Sequence, residues 1–136
     1  MILEMHEQIK AALFSRTGTG EFTTLVGSRI YDTIATANAT KPYVVWKMAG
    51  STVEIGFDGN ERVTASLVVT LRTDFTKGVE DHLTIINQMA DLREYQAAVG
   101  TGVDRICLQM SSIGEVALDD QELTSDTTFT VTSTRV

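Results

Sequence analysis

Residues 61–74, ERVTASLVVTLRTD, alternate between apolar and polar side chains over most of their length. Val63, Ala65, Leu67, Val69 and Leu71 share one face; Arg62, Thr64, Ser66, Thr70 and Arg72 share the other, with Val68 as the apolar exception. A period of two over so long a run predicts a half-buried β-strand, since on a helix it would scatter the apolar positions around the whole circumference. One face needs cover and the other can stay wet, which predicts an antiparallel sheet with helices on one side.

The flanking patterns place the other elements. Ile2, Met5, Ile9, Ala12 and Leu13 form one stripe of an amphipathic helix over residues 2–14, ended by the loop containing Gly18 and Gly20. A brief strand follows at 29–34, and a second at 43–48 opened by Pro42, whose missing donor is harmless at a strand's first position. A bend or bulge surrounds Gly50, residues 53–57 resume the strand, and Asp58-Gly59-Asn60 turns the chain into the alternating run. That run is therefore the second arm of a long hairpin.

A second helix is expected from 79 to about 93, with Val79, Leu83, Ile86, Met89 and Ala90 inward and Asp81, His82, Asn87, Asp91 and Glu94 outward. Residues 96–102 read as a loop, 103–110 as a strand, 111–125 as irregular and acidic, and 127–136 as a closing Thr-rich strand. The expected fold class is α+β: a mostly antiparallel sheet with a long β-hairpin, packed against two helices on one face. The 136 residues fit a single domain, 1–136, of ordinary size.

Composition narrows the function classes. A formal net charge of −7 disfavours direct nucleic-acid binding, which needs a basic surface. No window approaches the ~18 apolar residues of a spanning helix, so no membrane partner is expected. Glu4, Glu7 and Lys10 interrupt the N-terminal apolar pattern, which is unlike a secretion signal and predicts a chain that stays in the cytoplasm where it is made. The single cysteine, Cys107, fits a reducing compartment.

A search for chemistry finds no catalytic, cofactor or metal site, and no enzyme activity is expected. Cys107 lacks a histidine partner, because His6 and His82 both fall on helical faces expected to be wet. Two scattered histidines and one cysteine do not supply a clustered ligand set for zinc. Asp58-Gly59-Asn60 starts like a calcium loop, but Arg62 and Val69 occupy later ligand positions. The glycine pairs at Gly18/Gly20 and Gly100/Gly102 are too short for phosphate loops. Trp46 shares a face with Val44 and Met48 and reads as core.

Several local signatures carry a resemblance. Leu25-Val26-Gly27-Ser28-Arg29-Ile30-Tyr31 leads from the first helix into the first strand, and Lys41-Pro42-Tyr43-Val44-Val45 opens the second. Residues 67–72 supply a long alternating strand, a helix carrying Asp81 and Leu92 follows, and a Thr-rich strand closes the chain. This order and these runs resemble the tail terminator, or tail completion, proteins of long-tailed bacteriophages, over nearly the whole chain. The proline-tyrosine junction is the most specific element. Lys41 departs from the apolar residue usual there, and the acidic stretch 111–125 is a second departure.

The resemblance implies a non-enzymatic structural protein of the virion, at the neck of the tail and assembled in the host cytoplasm. Its expected partners are further copies of itself in a hexameric ring, the tail tube protein and the head connector or stopper protein. DNA would pass through the lumen without specific binding. Six such chains bring about −42 formal charges around that lumen, which repels DNA and lets it slide. The expected contact residues are Glu54, Asp58, Asn60 and Arg62 at the hairpin tip, Thr64 and Arg72 on the strand's wet face, and Glu115, Asp119, Asp120 and Glu122 in the acidic stretch. Competing readings are another head–tail neck component, or a small-ligand-binding or enzymatic α+β domain with its pocket between helix and sheet.

Overall fold

The computed structural model describes residues 26, 29–35, 37–56, 61–75, 79–89, 96–98 and 105–135. Its elements are β1 Ile30–Asp32, β2 Tyr43–Ile55, β3 Glu61–Asp74, α1 Val79–Met89, β4 Gln96–Ala98, β5 Arg105–Ile113, β6 Ala117–Asp119 and β7 Glu122–Arg135. The strands make one sheet in the order β1-β2-β3-β7-β5-β4, with β6 paired to β7.

The alternating run is β3, at the centre. Val63, Ala65, Leu67, Val69 and Leu71 are all buried, as the period of two requires, and Thr73 continues the same face. At the centre of the strand, inward side chains meet inward neighbours across the ladder. Leu67 lies between Met48 of β2 and Phe129 of β7, and Val69 lies between Trp46 and Thr127. Phe129 in turn stands beside Met110 of β5. Trp46 is 1% exposed and belongs to this core. The expected irregularity at Gly50 is a β-bulge between Ala49 and Ser51, with Gly50 at φ 74°. Without a Cβ that conformation costs little, and the extra residue lets β2 stay paired on both sides of it.

The expected layer of two helices on a mostly antiparallel sheet is overturned. The sheet is mixed, because β1 runs parallel to β2, with Ile30 beside Val44 and Asp32 beside Trp46. Val44 N–H donates to the Arg29 carbonyl at 3.1 Å and Thr33 N–H to that of Trp46 at 2.8 Å, closing the ladder at both ends. Among the described residues the sheet is accompanied by one helix with a defined range, α1, and it is short; the helix expected at 2–14 lies outside them. The described residues are mostly sheet.

The helix is also turned from its expected phase. His82, Ile85, Ile86 and Met89 face the core, at the i, i+3, i+4, i+7 spacing of one helical stripe, whereas Val79 and Leu83 are 41% and 49% exposed. His82, expected outside, is fully buried. Its Nδ1 lies 2.8 Å from Thr73 Oγ1 and its Nε2 2.7 Å from Ser125 Oγ, so one side chain fastens α1 to β3 and β7. Burial pushes the His82 pKa down, because water no longer solvates the charged form.

Two further corrections fall in the second half of the chain. Residues 96–98, expected in a loop, form β4 against β5. The stretch 111–125, expected to be irregular, contains the end of β5, all of β6 and the start of β7. Asp120 and Gln121 have φ of 45° and 66°, and they turn β6 directly into β7 with Asp119 opposite Glu122. A two-residue turn with both φ positive matches the twist of a hairpin. Gly114 leads into it, and a Cβ there would lie 2.7 Å from the Asp126 carbonyl oxygen, so the close approach requires glycine.

Candidate assembly surface

The sheet face turned away from α1 is built from hydroxyls. Thr64, Ser66 and Thr70 of β3 stand opposite Thr132, Thr130 and Asp126 of β7, and Thr70 Oγ1 donates to Asp126 Oδ1 at 2.7 Å. Threonine suits this position: its branched side chain covers the pleat while its hydroxyl remains free to bond. The central residues of the face are half-buried.

Charge collects at the two ends of this face. At the Asp74 end, Glu122 accepts from Arg72 Nη1 at 2.7 Å and from Lys41 Nζ at 2.8 Å. Lys41, which departs from the apolar residue usual in the resembled family, thus has a carboxylate partner. Burial acts to raise the Glu122 pKa, but the hydrogen bonds from Lys41 and Arg72 outweigh it and hold the carboxyl below the usual range. The same bonds, opposed by burial, raise Lys41 and Arg72. These groups are partly exposed, so the network contributes on the order of 1 kcal/mol. Glu122→Gln should lose about that much at pH 7, read by denaturant unfolding. The difference from the parent should vanish as pH falls below the ordinary carboxyl range of about 4.5 and through the depressed folded value, where Glu122 takes up its proton.

At the other end Glu54 of β2 stands opposite Arg62 of β3, both exposed. On the opposite face of the same hairpin end, Val53 is 55% and Ile55 71% exposed. The expected contact residues therefore divide. Arg72 and Glu122 come together at one end, and Glu54, Arg62 and Thr64 lie toward the other. Glu115 and Asp119 are exposed around β6, and Asp120 forms its turn. Asp58 and Asn60 lie outside the described residues.

An open cleft of about 390 Å³ lies where residues 33–35 overhang Tyr43, Val45, Lys47, Thr70 and Arg72. Tyr31 meets Tyr43 edge to face at 5.8 Å beside it. Sequence reasoning missed this cleft, since it depends on β1 joining the sheet in parallel. Among the described residues no group of three or more His, Cys, Asp or Glu is placed to hold a metal ion, and no helix is long and apolar enough to cross a membrane.

No protein-family profile matches the chain, and no curated protein matches it in sequence. Its fold is similar to that of a solved chain from the virion of the native gene transfer agent particle. The two share 13% identity and superpose with a TM-score of 0.65, covering 97% of this chain and 92% of that one. At that identity the likeness establishes the common fold.

Proposed function

We propose that this chain is a structural, non-enzymatic subunit of a phage-like virion, and within it the terminator of the tail. In this role copies close a ring, most simply a hexamer, on the head-proximal end of the tail tube. The ring stops further tube subunits from adding and offers its other side to the head connector, while DNA passes through the lumen without specific binding. The observation that carries the reading is the shared fold with a virion chain over nearly the full length of both. The motif resemblance at Arg29-Ile30-Tyr31 and Pro42-Tyr43-Val44-Val45 supports it independently; these residues lead into β1 and β2, the parallel pair of the sheet.

The ligand-binding or enzymatic alternative has less support. It needs a pocket between helix and sheet, and that space holds His82, Ile85, Ile86 and Met89. The cleft lined by Tyr43, Val45, Lys47, Thr70 and Arg72 lies on the other face.

Deletion of the coding sequence tests the role. Particles lacking the protein should carry overlong or ragged tubes detached from heads, seen by negative-stain microscopy, and supplying the protein in trans should restore joining. Tails of normal length would overturn the terminator role, and with it the choice over other neck components.

A further inference from the structure

Among the described residues, the strands at the two sides of the sheet, β1 and β4, are too short to cover their neighbours. β1 pairs with Val44, Val45 and Trp46, and among the described residues no strand lies along the same side of β2 at 47–55. β4 pairs with Arg105, Ile106 and Cys107, and no described strand lies beyond β5 at 108–113. Open edges of this kind present backbone donors and acceptors as templates for another strand, and natural sheets usually block them.

The two open edges match in level. Lys47 and Ser51 stand opposite Val68 and Ala65 of β3. Ser112 and Leu108 reach the same Val68 and Ala65 through Thr128 and Val131 of β7. They match in direction as well. β2, β3, β7 and β5 are each antiparallel to the next, so the outermost two run in opposite senses. A second copy rotated about an axis parallel to the strands brings its β5 beside the first copy's β2 in antiparallel orientation, with no shift along the axis. Each edge also carries a bulge at this level, at Gly50 and at Ser111. Bulges add the local twist and bend by which a sheet curves toward closure.

We propose that residues 47–51 of β2 pair with residues 108–112 of β5 in a neighbouring copy, forming the repeated seam of the ring. The inference rests on the ring reading above and names its interface. Beyond Ser51 the neighbour's edge is taken by β4, so the tip of β2 passes over β4 and lays the exposed Val53 and Ile55 on it. The contact is heterologous, one edge meeting a different one, which is the arrangement that closes rings.

Ala49 and Gln109 test the seam, because both are exposed and both stand level with Ser66, Ala49 directly and Gln109 through Thr130. In the full chain with Cys107→Ser, the pair Ala49→Cys and Gln109→Cys is treated with a short bismaleimide and run on a denaturing gel. The expected result is a ladder of multimers ending at the ring number, absent from each single variant. Dimers from Ala49→Cys alone would overturn the seam in favour of a two-fold β2–β2 contact. No ladder, with a closed ring in native mass measurement, would overturn the seam and leave the proposed function standing. No ladder and only monomer at high concentration would overturn the seam and count against a self-closing ring.

Discussion

Phe129→Ala is expected to remove about 3–5 kcal/mol of stability. Phe129 is fully buried and sits at the crossing of three strands, opposite Leu67 of β3 and Met110 of β5. Truncation loses the transfer free energy of the ring and leaves a cavity that flat neighbours in paired strands cannot collapse to fill. A domain of this size should melt lower by roughly 3–5 °C per kcal/mol. Scanning calorimetry or a denaturant midpoint with unchanged slope would show it. A loss near 1 kcal/mol would mean that the centre of the sheet repacks freely.

The second large effect is expected at His82. His82→Leu keeps the bulk but leaves the Thr73 and Ser125 hydroxyls buried without their partner, at a cost of about 2–4 kcal/mol. Histidine also makes stability depend on pH. Its folded pKa is lowered while the unfolded chain keeps the ordinary value near 6.5, so the unfolded state binds more protons between the two. The His82 contribution is therefore complete above about pH 6.5 and falls by up to ~1.4 kcal/mol per unit as pH drops toward the folded value. His82→Leu should flatten that slope. An identical slope in parent and variant would place the titration elsewhere.

These two residues also mark the limits of what the sequence makes legible. Phe129 and the β3 residues follow a local period of two, and local periods are visible without a structure. Gly50 announced its bulge by residue type. His82 was misread because a histidine counts as polar until its partners are known, and counting it so rotated the helix by about one position. Ser125 hid the start of β7, residues 122–126, in the same way: it is buried, yet it breaks the apolar alternation. The parallel pairing of β1 with β2, and the cleft it creates, depend on a contact between segments separated by a loop, and no local pattern encodes it. Of the expected contact residues, Glu54 and Arg62 face each other across the hairpin that the sequence already showed, whereas the geometry of the Arg72–Glu122 pair required β7 to begin at Glu122.

The brevity of β1 has a consequence for assembly. A strand laid on an open edge can slip by two residues and still present the same faces, so an edge by itself does not define one joint. β1 occupies the β2 edge as far as Trp46, where Thr33 N–H closes it. β4 occupies the β5 edge as far as Cys107. In the proposed seam these two short strands act as end stops, one at each limit of the shared five-residue stretch. They would index every subunit to its neighbour in the same way, so that small errors do not accumulate around the circle and the last copy meets the first.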